Sequence, residues 1–360
     1  MKQLPDRWEH GSDFHSPIAI ASTEKPIHPW RNRQSALFGS GRDGLRALIM
    51  HGRFTHGWRR CWLPSFFCQQ VSSAIQSHGV EICVYPDSPL QVPELPTRVG
   101  AGDAVVVMNY FGLRTQVDSS HIQQRGGSII EDHSHDPWSE WATKSSADYC
   151  LATLRKCLPV PEGGTVWSPC RHNLPEEPVL SIPRRSAVAM RIEAMRQKGL
   201  YLAGDDFNKN AFRSLFLESE ALLATGCPSG ISAETRQVLN FFPVMEWRAR
   251  RMCNYEFLRD QMIKCCGPLP LSPRDSSCTP FSFILVLETK KLRDALMVEL
   301  IGRRIYPAIL WPLANPSSHG IPDIHVSLSE RLLSIHCDGR YNKEDMNQVG
   351  TTIVEVMRTL

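Results

Sequence analysis

The stretch from Asp148 to Gly164 carries the residue best placed for covalent chemistry. It runs from an apolar segment, Tyr149 to Thr153, through Lys156 into a turn restricted by Pro159, Pro161, Gly163 and Gly164. A lysine at an apolar strand edge is desolvated or paired, and desolvation favours the neutral amine, a nucleophile suited to a Schiff base. A lysine snorkelling beside a turn is the ordinary alternative. Upstream, Ser128-Ile-Ile-Glu131-Asp132-His133-Ser134-His135 reads as a short buried strand delivering a carboxylate and two imidazoles at its carboxyl end, where ligands collect in α/β sheets. If the strand continues, His133 points to the opposite face from its neighbours.

The elements that must hold these groups are legible as alternating patterns. Ser40 to Ile49 places Leu45, Leu48 and Ile49 on one helical face, with Ser40 as N-cap and Asp43 as the acidic N3 residue, so a helix should start at Ser40. Strand-like Cys61–Pro64, Val80–Tyr85, Ala104–Met108 and Ser128–Glu131 alternate with helix-like Val71–His78 and Ser119–Arg125. Continuous apolar strands separated by helices predict an α/β fold with a mainly parallel sheet covered on both faces. Residues 1–35 read as an N-terminal arm and 36–262 as a large domain with a helical extension. Residues 263–360 read as a smaller C-terminal α+β domain, entered through the Pro- and Ser-rich loop from Gly267 to Pro280.

Composition limits the function classes. With 360 residues, 42% hydrophobic and 21% charged, the chain reads as an ordinary globular protein. Its net charge of +3 is small and its basic residues form no stripe, so nucleic acid is not expected as a partner. The 12 cysteines show no CxxC pair and read as reduced core thiols, with no metal site expected. The first residues lack the apolar run of a signal peptide and no long apolar stretch follows, so a cytoplasmic protein without a membrane span is expected.

Five short motifs lie in a recognisable order: Ser40-Gly-Arg-Asp-Gly-Leu45, Leu63-Pro-Ser-Phe-Phe67, Asn109-Tyr-Phe-Gly112, Ile130-Glu-Asp132-His-Ser-His135, and Lys156 with Glu162-Gly-Gly164. In order and spacing they resemble the DegT/DnrJ/StrS sugar aminotransferases, enzymes of the pyridoxal-phosphate fold type I. The resemblance covers about residues 36 to 170, with a weaker echo at Arg250, Arg251, Asn254, Tyr255 and Tyr306 to Asp345.

The resemblance implies that Lys156 forms the Schiff base and shuttles protons. Pyridoxal phosphate needs a protonated ring nitrogen, which a buried carboxylate at a strand tip holds, and Asp132 is the candidate. His135 falls at the position beside the ring. Ser40, Gly41 and Arg42 open a helix whose free N–H groups suit the cofactor phosphate, and Thr153 adds a hydroxyl. The stacking residue is Phe67 or Cys68. Arg250 and Arg251 are candidates for substrate binding through guanidinium contacts.

The implied activity moves an amino group from glutamate or glutamine to a carbonyl acceptor, a keto sugar or sugar nucleotide, in a homodimer. The family's segment with a cross-subunit Asn has no counterpart, and Cys227 to Ser232 stands at about that place. Two rival readings remain: a dehydratase-like reaction, for which the family generally replaces the lysine by histidine, and a non-catalytic binding or regulatory relative.

Overall fold

Asp103–Met108 reads Asp-Ala-Val-Val-Val-Met, and all of its residues are buried, as expected of a strand covered on both faces. The computed structural model, which describes residues 7–16, 26–30, 33–224, 227–316 and 318–360, builds a seven-stranded sheet around it.

In chain order the arm contributes β1 (His10–Gly11). The chain goes on with β2 (Ser35–Phe38), α1 (Gly41–Thr55), β3 (Arg60–Pro64), α2 (Gln69–Gln76), β4 (Glu81–Tyr85), β5 (Asp103–Met108), α3 (Ser120–Gln124), β6 (Ser128–Asp132), α4 (Glu140–Lys144), β7 (Tyr149–Thr153) and β8 (Gly164–Trp167). Four helices come next: α5 (Ile182–Ala203), α6 (Lys209–Ala224), α7 (Ala233–Phe241) and α8 (Val244–Lys264). The chain closes with β9 (Phe283–Val286), α9 (Lys290–Gly302), β10 (Ile305–Tyr306), α10 (Asp323–Arg331), β11 (Leu332–Ile335) and α11 (Lys343–Thr359).

The sheet order is β2-β8-β7-β6-β5-β3-β4. Pairings from β4 through β3, β5 and β6 to β7 are parallel, whereas β7 with β8 and β8 with β2 are antiparallel. The mainly parallel α/β core is therefore as expected, with β6 and β7 side by side near its centre. That adjacency brings the carboxyl ends carrying Asp132 and Lys156 together.

Two cores sandwich the sheet. One is centred on Leu45, Leu48 and Phe66 and reaches Leu313 and Leu328 of the C-terminal region. The other is rich in tryptophan, with Trp30, Trp138, Trp141 and Trp167. A third core, including Leu285, Leu300, Leu333 and Ile353, fills the C-terminal region, and Tyr255, Leu258 and Met262 of α8 join it. Helix α8 thus connects the two bodies: its start packs on the sheet through Val244 and Trp247, and its end belongs to the smaller core.

Strand β10 is only two residues long, because Pro307 interrupts the ladder. Its partner is β1, joined in parallel register, so the arm is an added strand of the C-terminal region. Of the arm expected over residues 1–35, residues 1–6, 17–25 and 31–32 lie outside the described residues. Among the described residues no helix is long and apolar enough to cross a membrane.

Candidate active site

The first wall of the site is the start of α1. Ser40 is extended, and its Oγ accepts the Asp43 N–H at 3.0 Å, capping the helix as expected. The Asp43 carboxylate takes a role the sequence did not reveal: it pairs with Arg184 of α5 at 2.8 Å, both groups being buried. Gly41 is required because a Cβ there would lie 2.1 Å from Thr153 Oγ1. At Gly164 a Cβ would strike the backbone of Ser40 and Gly41 at 2.3 to 2.4 Å. The Gly-rich turn after Lys156 is therefore the seat on which the helix start rests.

Beneath this seat Glu162 is fully buried. Its Oε1 accepts the Ser232 N–H at 2.6 Å, while Oε2 has no hydrogen-bond partner among the described residues. Burial raises its pKa to about 7, against the opposing pull of the Ser232 hydrogen bonds. The segment Cys227–Ser232 closes the same region from within the chain, since the Ser229 carbonyl accepts the Gly39 N–H at 2.8 Å.

Strands β6 and β7 supply the second wall. Asp132 is buried, and its Oδ1 accepts the Ser134 N–H at 2.8 Å. Ser134 Oγ in turn accepts the Thr153 N–H at 2.9 Å, tying the two strand ends together. His133 faces the opposite side, as strand alternation predicts, bonded to Glu131 at 3.0 Å and packed on Trp141 and Trp167.

His135 and Lys156 meet at the floor. His135 Nδ1 accepts the Phe111 N–H at 3.0 Å, and its Nε2 lies 3.5 Å from Lys156 Nζ. Burial first, and the nearby Lys156 second, hold the His135 pKa well below its ordinary value, so the ring is neutral. With Nδ1 accepting, a neutral ring carries its proton on Nε2, toward the amine. Trp311 covers both: its ring centroid is 5.2 Å from Lys156 Nζ and 5.2 Å from the His135 ring.

These groups line a cleft of about 370 Å³, within the range of small-molecule sites. The structure brings Ser40, Gly41, Arg42, Phe67, Cys68, Asp132, Thr153 and Lys156 together on its surface. His135 sits behind Lys156, fully buried. Arg42 donates to Gln70 Oε1 at 2.9 Å, and its Nε has no partner among the described residues. Phe67 is nearly all core, whereas Cys68 is half-buried at the start of α2.

Arg250 and Arg251 stand away from this cleft. Arg251 is buried beneath the floor, 3.1 Å from Asp136, and Arg250, turned toward the C-terminal region, donates to the Gly339 carbonyl at 3.1 Å. Neither is on the surface of the cleft. Trp311 and Ser134 went unnoticed in the sequence. Trp311 is nearly as far from Lys156 in sequence as Lys156 is from the start of the chain, and no local pattern marks it.

No protein-family model and no curated protein matches the chain. Solved structures do. Helicobacter pylori PseC, an aminotransferase involved in pseudoaminic acid biosynthesis, superposes with a TM-score of 0.59 at 12% identity, over 91% of this chain and 88% of that one. The aminotransferase TlmJ from Streptoalloteichus hindustanus gives 0.59 at 15% identity, over 91% and 86%. A DegT DnrJ EryC1 StrS aminotransferase from Brucella abortus gives 0.56 at 13% identity, over 89% and 85%.

The chain has the fold of these aminotransferases. At such identities the likeness is one of architecture, extending over nearly the whole length of both chains, so the C-terminal region and the helices α5 to α8 belong to the shared fold together with the sheet.

Proposed function

We propose that this chain is a pyridoxal-phosphate-dependent aminotransferase, with glutamate or glutamine as amino donor and a keto sugar or sugar nucleotide as acceptor. The observation that carries the reading is the meeting, in one cleft, of Lys156 at the end of β7, Asp132 at the end of β6 and the open start of α1. The fit to the cofactor rests on the same cleft. The start of α1 offers free N–H groups to a phosphate, the Thr153 hydroxyl lies against it at Gly41, and Arg42 adds a cation with an unused donor.

Pyridoxal phosphate, when bound, supplies an electron sink for breaking bonds at the carbon that bears the amine. Asp132 holds the proton on the ring nitrogen, and Ser134 fixes its carboxylate from behind. Lys156 would hold the group through its Nζ, and the same amine would carry protons during the reaction. His135 keeps a neutral N–H beside that amine and orients it. Trp311 excludes water from the same spot. The working form is a homodimer, as the resemblance implies.

The test is reconstitution with pyridoxal phosphate, borohydride reduction and peptide mapping. The cofactor should be found on the peptide containing Lys156, and Lys156→Ala should neither trap it nor turn over while keeping its fold. Reduction onto another lysine, or no visible absorbance after reconstitution, overturns the reading. Sedimentation of the loaded protein checks the dimer.

A further inference from the structure

Behind Lys156 lies a second cleft, of about 480 Å³, which shares Thr153, Arg155 and Lys156 with the first. Its walls are the arm at Ser12 to Phe14, helix α5, and the C-terminal region. Lys156, Arg155, Arg191 and Arg340 face it, and among the described residues Asp13 is the one carboxylate on its surface. The other carboxylates that steady these arginines, Glu220 and Asp338, stand outside the lining.

Two of these arginines, Arg155 and Arg191, share one carboxylate. Glu220 accepts from both terminal nitrogens of Arg155, at 2.5 and 2.7 Å, and from Arg191 at 3.2 Å. Burial alone would raise its pKa, but the two guanidiniums bring it down to about 2, so it remains a charged brace between them. Asp13 binds Arg191 at 2.6 Å from the arm. A guanidinium offers five N–H groups, and these bonds use only part of that supply.

The arm itself is fastened. Lys198 donates to the Asp13 carbonyl at 2.6 Å, Arg340 donates to the carbonyls of Ser12 and Asp13 at 3.2 Å each, and the Gly11 N–H donates to Tyr341 Oη at 2.7 Å. Phe14, Phe281 and Tyr306 give the cleft apolar wall between its charges.

We propose that this second cleft receives the substrate, and that Arg155 and Arg191 clamp a carboxylate or phosphate group that the substrate carries. Planar guanidinium pairs braced by a shared carboxylate are suited to bidentate anion recognition. The inference rests on the aminotransferase reading for the word substrate, while the anion site itself needs no cofactor. It replaces Arg250 and Arg251 as the source of the clamp.

Calorimetric titration tests it, on the protein with and without pyridoxal phosphate, using glutarate, inorganic phosphate and the neutral isostere glutaramide. Wild type should bind one of the anions and bind glutaramide at least about tenfold more weakly, the scale of one charged hydrogen bond. The tighter of glutarate and phosphate identifies the group. Arg191→Gln and Arg155→Gln should each lose about tenfold in anion affinity with no change toward glutaramide, and Arg191→Lys should recover part of the loss. Equal binding of glutarate, phosphate and glutaramide by wild type, or anion affinity unchanged in both glutamine variants, overturns the proposal, and the wild-type arm stands even if a variant misfolds. A protein that binds anions but never takes up pyridoxal phosphate would sink the aminotransferase reading alone. One that takes up the cofactor but ignores the anions would sink this one alone.

Discussion

The first cleft draws most of its walls from strand ends and helix starts between Ser40 and Lys156, while the second is assembled from the arm, α5 and the C-terminal region, residues as distant as Asp13 and Arg340. In the first, single backbone features do the positioning: a capped helix, a glycine seat, two adjacent parallel strands. In the second, positioning depends on long-range ion pairs, and the pieces have no fixed relation until the chain has folded. On the proposed reading, the chemistry and the selection of its substrate are held by separate parts of the molecule, joined at Lys156. Substitutions should then separate loss of reaction from loss of recognition.

The largest effect expected is at the shared residue. Lys156→Ala should lower turnover by on the order of a thousandfold or more, since it removes both covalent anchor and proton carrier. The thermal midpoint should stay close to wild type, because Lys156 is only half-buried. Measurable turnover near wild type would place the chemistry elsewhere.

Asp132→Asn belongs to the first cleft alone. A neutral amide keeps the shape and the bond from the Ser134 N–H but cannot hold a ring-nitrogen proton, so kcat should fall on the order of a hundredfold with the cofactor still bound. Anion binding in the second cleft should be unaffected, and a parallel loss there would break the separation.

Trp311 is the exception that sharpens the comparison, for it reaches from the C-terminal region into the first cleft. Trp311→Ala should weaken cofactor retention about tenfold and cost stability of about 3 kcal/mol, the lower end for truncating a buried tryptophan. Trp311→Phe should restore most of both. If cofactor affinity, followed by absorbance on dilution, is the same in the alanine variant, the ring serves packing only.

The smallest and most diagnostic difference is in pH response. Glu162, under the first cleft, has its pKa raised from 4.5 to about 7 by burial, so the unfolded chain ionises it first and the fold loses stability as pH rises from 4.5 through 7. The arm behind the second cleft behaves oppositely. Burial lowers His10 from 6.5 to about 3 and His336 to about 4, and Arg340 adds to both, so these rings stay neutral in the fold and stability is lost as pH falls below 6.5. Hydrogen exchange should therefore show protection of the arm falling toward pH 4. Glu162→Gln should stabilise the protein more at pH 8 than at pH 5. A uniform response of both regions would contradict the comparison.

Much of the first cleft is written in local patterns. Apolar runs such as Ala104–Met108 mark buried strands, Ser40 with Asp43 marks a helix start, and Gly164 falls where the chain meets the backbone of Ser40 and Gly41. Those signals are local, set by period, cap and steric room within a few residues, so they can be read without a fold. The same local logic put His133 on the far side of β6.

The remaining features come from packing between distant segments. A charge run on a helix does not tell which face is turned inward, so Arg248 to Arg251 looked available when Arg251 was in fact buried against Asp136. Arg155 stood beside Lys156 in plain view, but its worth depends on Glu220 and Arg191, which ion pairing brings to it from two other helices. Trp311, the docking of the arm as a strand on β10 and the orphaned carboxylate oxygen of Glu162 likewise arise from contacts between distant segments. Such contacts are fixed by the packing of whole elements, and no spacing within the chain encodes them.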